Sequence, residues 1–208
     1  KERIENILMN LKKYSKKFSF LIECLLSSEK EDNIKILNRK EYLIPKGKVL
    51  IYSDFREKIT GGVSFIGRLL EIKDLGFIPF RRFLENTELI DSIFKDVPEE
   101  REHNYFTEST KNKILETYEK FLDEINRETL YTKKVFYLWE TSNKISNFNN
   151  YIAQIIYNHD KNKNGELIRI VFITKSGSEG ISFKAIRQVH IMEPFWQQTR
   201  KPWRGWQI

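Results

Sequence analysis

Apolar residues recur every three or four positions over Ile4, Ile7, Leu8 and Leu11, and again over Phe18, Leu21, Ile22, Leu25 and Leu26. Each set lines one face of a helix. The pattern breaks near Tyr14-Ser15, where the serine hydroxyl can cap the second helix. Lys30 to Lys46 is polar and weakly patterned, and reads as a connection. The period then changes. Lys48-Val49-Leu50-Ile51-Tyr52-Ser53 is a short apolar run preceded by Pro45 and Gly47. A run with no polar side predicts a strand covered on both faces, hence a parallel one. Gly61-Gly62 opens a helix carrying Phe65, Ile66, Leu69, Leu70 and Ile72, Gly76 closes it, and Phe77 to Phe80 is the next strand.

Arg81 to Thr132 is less orderly and rich in charge, with one amphipathic helix through Ile114, Leu115, Tyr118, Phe121, Leu122 and Ile125. It reads as an insertion. Alternation then resumes with Val135 to Trp139 as strand, Tyr151 to Tyr157 as helix, Leu167 to Thr174 as strand and Gln188 to Met192 as strand. Repeated strand-helix-strand units predict an α/β fold, a parallel sheet with helices on both faces, whose ligands gather at the carboxyl ends of the strands. The expected organisation is a helical lead-in over 1–46, an α/β domain over 47–80 and 133–208, and a charged helical insertion over 81–132.

Composition narrows the classes. Of 208 residues, 40% are hydrophobic and 13% aromatic, enough for a packed core and unlike a disordered chain. No run approaches the roughly 20 apolar residues of a membrane span, so no membrane partner is expected. Lys1 in place of Met, with helical periodicity already running at Ile4, predicts a chain that begins inside a longer polypeptide. Cys24 alone forms no internal disulfide, and His103, His159 and His190 have no metal-ligand spacing. Against 29 acidic residues, 36 basic ones leave a net charge of +7, compatible with a polyanion partner without requiring one.

Two loops follow predicted strands and carry anion-binding chemistry. Ser53-Asp54-Phe55-Arg56 offers a hydroxyl and a guanidinium, although its spelling alone favours a solvated turn. Thr174-Lys175-Ser176-Gly177-Ser178-Glu179-Gly180-Ile181-Ser182 packs four hydroxyls, two glycines and a lysine together, which suits phosphate as well as it suits an ordinary loop. No G-x-x-x-x-G-K-[ST] phosphate loop occurs, so the chain by itself is expected to bind ATP poorly. Asp123-Glu124 has the spelling of a magnesium-binding pair but lies on an amphipathic helix and reads as a solvated face. His190 reads as a neutral, hydrogen-bonded sheet histidine, and Trp139 and Trp196 as packing residues. No G-x-S-x-G elbow supports hydrolysis by a serine triad.

Taken together, Gly47 to Phe55 resembles motif IV, and Ile173 to Ser182 resembles motif V, of the second RecA-like domain of superfamily 2 helicases and translocases. Val189-His190-Ile191-Met192-Glu193-Pro194-Phe195-Trp196 resembles the helicase-like ATPases of large cytoplasmic DNA viruses, the poxvirus, asfarvirus and giant-virus type. Tyr14-Ser15-Lys16-Lys17-Phe18 resembles their entry into the domain, and Asn158 to Ile170 their polar run before motif V. The resemblance implies a RecA-like parallel sheet and half of a nucleic-acid-dependent ATPase, acting in viral transcription or replication, in the host cytoplasm or virion. ATP and Mg2+ would be held mainly by a first RecA-like domain of the same polypeptide, absent from this chain. Carried over by position, Ser53, Arg56, Thr174, Lys175 and Ser176 would contact a DNA or RNA backbone. Gly180 and Ser182 would face the nucleotide, and Glu179 would couple the two sites. Viral RNA polymerase is a further expected partner.

The family then continues into a Q-x-x-G-R-x-x-R helix whose arginines reach the γ-phosphate. Here Gln197 to Ile208 is spelled differently: Arg200 matches the leading arginine, and Arg204 is the candidate catalytic finger. Trp139-Glu140-Thr141-Ser142 also departs from the glycine that relatives place near this point. An alternative function therefore stands beside the motor, a degenerate non-catalytic helicase-like module docking onto a polymerase or transcription complex.

Overall fold

The computed structural model describes residues 2–27, 34–37, 40–54, 62–72, 75–103, 105–129, 133–139, 144–174 and 181–193. Helices α1 (Glu2–Tyr14) and α2 (Lys16–Ser27) break at Ser15, whose Oγ accepts the Phe18 backbone N–H at 3.3 Å, the cap expected from the sequence. Where 30–46 reads as a plain connection, the chain instead forms an antiparallel hairpin of β1 (Ile34–Leu37) and β2 (Lys40–Leu43). Strands of four residues hold too few periods for alternation to stand out against the surrounding charge.

The five remaining strands form one wholly parallel sheet in the order β4-β5-β6-β3-β7. They are β3 (Lys48–Ser53), β4 (Phe77–Pro79), β5 (Lys134–Leu138), β6 (Ile170–Thr174) and β7 (Ile186–Ile191). Every residue of β3 and β6 is buried, as expected for strands covered above and below. Alternation sends Val49, Ile51, Ile170 and Phe172 to one face, against Leu21 and Ile22 of α2 and Val63 and Ile66 of α3 (Val63–Leu70). Leu50, Tyr52, Val171 and Ile173 go to the other. This is the RecA-like arrangement that the resemblance implies.

The charged stretch after β4 supplies the cover for the second face. It forms α4 (Arg81–Leu84), α5 (Thr87–Phe94), α6 (Pro98–His103) and α7 (Glu108–Thr129). Phe80, Phe83 and Tyr118 meet there with ring centroids 5.0–5.7 Å apart, and the Tyr118 hydroxyl donates to the Leu167 carbonyl at 2.9 Å. The charges occupy the outward side, with Asp123 and Glu124 both exposed on α7. Helix α8 (Lys144–Asn158) completes this face and starts seven residues before the apolar pattern shows it, because its first turns are rich in Ser and Asn.

Two boundaries differ from expectation for physical reasons. Leu167 and Ile168 stop short of β6 because their N–H groups bond Asn162 Oδ1, at 2.8 and 3.1 Å, instead of a neighbouring strand. Helix α3 ends at Leu70, well before Gly76, whose positive φ of 76° turns the chain into β4. At the start of β3, Gly47 is required: a Cβ there would meet Arg187 Cγ at 2.3 Å.

The amino ends of the strands are held by buried polar groups. Asn162, fully buried, also donates to the carbonyls of Tyr157 and Ile168 at 3.0 and 3.1 Å, so both ends of its amide are used. Asn162→Ala removes the partner of the Leu167 and Ile168 N–H groups and of the Ile168 carbonyl, while the Tyr157 carbonyl keeps Lys48, and is expected to cost about 2–4 kcal/mol in urea unfolding; a loss under about 0.5 kcal/mol would remove this brace from the account. Lys48 is 1% exposed, donates to the carbonyls of Tyr157 and, at 3.1 Å, Lys184, and lies 4.5 Å from the Tyr157 ring centroid. Burial lowers its pKa from 10.5 to about 8. Between those values the unfolded chain holds the extra proton, so this lysine's contribution to stability rises with pH above about 8 and stays at its minimum below. Relative to Lys48→Met, the wild-type chain should therefore gain unfolding free energy between pH 8 and 9.5, while parallel pH profiles would contradict the assignment.

Candidate functional site

Ser53 and Thr174 end neighbouring strands and are register partners, so the two loops singled out by sequence leave the sheet side by side. The described elements that follow them lie on opposite faces. After β3 the chain passes to α3 on the face that α2 covers, and Gly62, with φ 98°, begins that helix. After β6 it returns over the opposite face, where Ile181 and Phe183 pack with the α5–α8 layer. Adjacent parallel strands whose connections diverge in this way open a crevice at their carboxyl ends, where open α/β sheets bind ligands.

The rim of this crevice is organised. By alternation Ser53 and Thr174 face the α2–α3 side; they are 0% and 6% exposed, and both are engaged by neighbours. The Tyr52 hydroxyl donates to Asp54 Oδ1 at 2.6 Å, and burial together with that carboxylate raises the phenol's pKa. The Asp54 N–H donates to Glu193 Oε2 at 3.0 Å, the Met192 N–H to the Tyr52 carbonyl at 2.9 Å. Lys17 Nζ bonds the Met192 carbonyl and lies 3.7 Å from Glu193 Oε1. The start of α2, the loop after β3 and the end of β7 are thus joined by side chains that sequence reasoning did not select. Asp54 and Glu193 both follow strands, which was a usable signal, but nothing in the spelling places two residues 139 positions apart in contact.

Ser182 is exposed, and its carbonyl accepts Gln154 Nε2 at 3.1 Å and Asn158 Nδ2 at 2.7 Å, while Asn158 Oδ1 takes the Lys184 N–H at 2.9 Å. The last turns of α8 therefore fix the chain returning from β6. Arg56, Lys175, Ser176, Glu179, Gly180, Arg200 and Arg204 lie outside the described residues. His190 Nε2 lies 3.1 Å from Gln188 Oε1 on β7, and burial lowers its pKa, in keeping with a neutral sheet histidine. Trp139 is buried and packs edge-on to Tyr137 and Phe183, as a core residue does.

Along the same rim a cleft of about 790 Å³ lies beyond β4 and β5, floored by Phe136, Leu138 and Phe172. Arg81 on its edge is paired with Glu71 and Arg101 with Asp91, at 3.0 and 2.6 Å, whereas Arg68 and Lys144 have no carboxylate partner among the described residues. No group of three or more acidic, His or Cys side chains that could hold a metal occurs among the described residues. With the phosphate loop also absent from the sequence, these residues do not by themselves fit an ATP–magnesium site.

Similar proteins exist among large DNA viruses. Over 158 residues, 74% of this chain, the sequence is 34% identical to a protein named Termination factor NPH-I homolog from an African swine fever virus warthog isolate. The counterpart from a tick isolate is 30% identical over 155 residues. A protein of Acanthamoeba polyphaga mimivirus, provisionally named an ATP-dependent RNA helicase, is 38% identical over 48 residues. The chain spans about a fifth (19%) of the length of the swine fever virus relatives and 8% of the mimivirus protein. No protein-family model matches the chain, and no solved structure matches it with statistical significance. With its parallel sheet, the opposite-face elements that follow β3 and β6, and these relatives, the chain carries a helicase-like domain of the type found in large DNA viruses.

Proposed function

We propose that this chain is the second RecA-like domain of a superfamily 2 nucleic-acid-dependent ATPase, and that its carboxyl rim holds a DNA or RNA backbone during viral transcription or replication in the host cytoplasm or virion. One observation carries the reading: the two motif loops begin at register partners, Ser53 and Thr174, at the point where the sheet's connections diverge. Ser53 and Thr174 fix where the loops leave, and Arg56, Lys175 and Ser176 supply donors to phosphate oxygens just beyond them. Such contacts position a strand without reading its bases, so affinity falls steeply with salt and varies little with sequence. Gly180 and Ser182 face the nucleotide side, Glu179 couples the two sites, and Arg200 and Arg204 approach the γ-phosphate. ATP and Mg2+ belong mainly to a first RecA-like domain of the parent polypeptide, and viral RNA polymerase is the expected larger partner.

The altered spelling of Gln197 to Ile208 favours a second reading, a non-catalytic module docking onto a polymerase or transcription complex. Oligonucleotide binding separates the two. In fluorescence anisotropy the chain should bind labelled single strands of unrelated sequence alike. Arg56→Ala/Lys175→Ala should weaken binding several-fold and lower the slope of log K against log salt by about 1.4, two contacts at roughly 0.7 each. Unchanged affinity and slope in that variant would remove the rim from the reading. ATPase assays of the chain alone, with and without oligonucleotide, should show negligible turnover; robust hydrolysis would contradict the assignment of the phosphate site to another domain.

A further inference from the structure

The corner between α1 and α2 breaks a local electrostatic rule. Lys16 and Lys17 open α2, with no acidic residue in its first turn, where unpaired N–H groups favour carboxylates. Lys12 and Lys13 close α1 immediately before them. Lys17 is matched by Glu193, but Lys12, Lys13 and Lys16 are exposed with no carboxylate partner among the described residues. Between the pairs stands Tyr14, 89% exposed. A bare tyrosine buries little, and although Lys12 and Lys13 suit the carboxyl end of α1, Lys16 and Lys17 add like charge beside them at the unfavourable end of α2, so stability accounts for neither the ring nor the cluster as a whole.

This corner is fixed in place. Ser15 caps α2 and donates its own N–H to the Leu11 carbonyl at 2.8 Å, so the two helices share a turn. The Phe18 ring lies 5.1 Å from that of Phe65, in the first turn of α3, the helix that follows the β3 loop. Lys17 bonds the end of β7 through Met192 and Glu193. Two separate contacts therefore hold the elbow at the carboxyl rim, on the face toward which Ser53 and Thr174 point.

We infer that the α1–α2 elbow is a second contact site for single-stranded nucleic acid, in which Lys12, Lys13 and Lys16 engage successive phosphates and Tyr14 stacks on a base. The inference rests on the proposed reading of the rim as the nucleic-acid track, and extends that track along one face. Cations that follow a backbone beside an aromatic platform are what sequence-tolerant single-strand binding requires. A lipid surface would use the lysines but not a stacking ring, so it is treated as an outcome of the test.

The test uses the purified 208-residue chain with labelled oligo-dT and oligo-U in anisotropy titrations over a salt series. Lys12→Ala/Lys13→Ala/Lys16→Ala is expected to weaken binding about tenfold at low salt and to lower the log–log salt slope by about two, three contacts at roughly 0.7 each. Tyr14→Ala should weaken binding about five-fold or more with the slope unchanged, and Tyr14→Phe should restore it. These side chains are exposed, so circular dichroism melts should match the wild type. A triple-lysine variant that keeps wild-type affinity and slope overturns the elbow. So does one that loses binding to anionic vesicles but not to oligonucleotide. If the Arg56→Ala/Lys175→Ala variant weakens binding and the triple variant does not, the track stands and the elbow falls; the reverse pattern keeps the elbow and removes the rim. No binding by the wild-type chain overturns both.

Discussion

Parallel pairing of β3 with β6 is the constraint from which the rest of this domain follows. Both strands are buried along their length, so both faces of the sheet must be covered, and each connection must choose a face. The connection after β3 goes to one face and that after β6 to the other, and the register ends with Ser53 beside Thr174. A crevice at that point is a consequence of topology and requires no special side chain. What the side chains add is order: Tyr52, Asp54, Glu193 and Lys17 bind the crevice's margins to β7 and α2.

The two ends of the sheet differ in kind. At the amino ends, Asn162 and Lys48 are buried and satisfied by backbone groups, carbonyls for Lys48 and both carbonyls and N–H groups for Asn162, which is the chemistry of a brace. At the carboxyl ends, charge lies at or near the surface, in Lys17, Arg68, Lys144 and the lysines of the α1–α2 corner. The buried brace and the exposed cations are thus separated by the length of the strands.

Much of this architecture was legible in the sequence. The central strands β3 and β6 were readable because strands buried on both faces are nearly pure apolar runs, and Ser15 and Gly62 marked helix starts through ordinary capping and backbone chemistry. The rule that ligands gather after strands pointed to Ser53 and Thr174, and the register places them side by side. Other features were hidden. The β1–β2 hairpin was too short to show a period, and α8 began behind a Ser- and Asn-rich turn. Asn162 was one polar residue in a polar run, though it decides where β6 begins. The Asp54–Glu193 contact and the burial of Lys48 are products of tertiary packing, which no local spelling encodes.

Mapping backbone amide shifts by NMR as a single-stranded oligonucleotide is added is the most direct measurement of where this domain meets its ligand. Perturbations should concentrate at the carboxyl ends, at Ser53, Asp54, Gly62, Val63, Thr174, Ser182 and Glu193, and leave Lys48, Asn162, Ile168 and Arg169 unmoved. Shifts confined to the amino ends, or scattered over the helical layer from α5 to α7, would contradict the account.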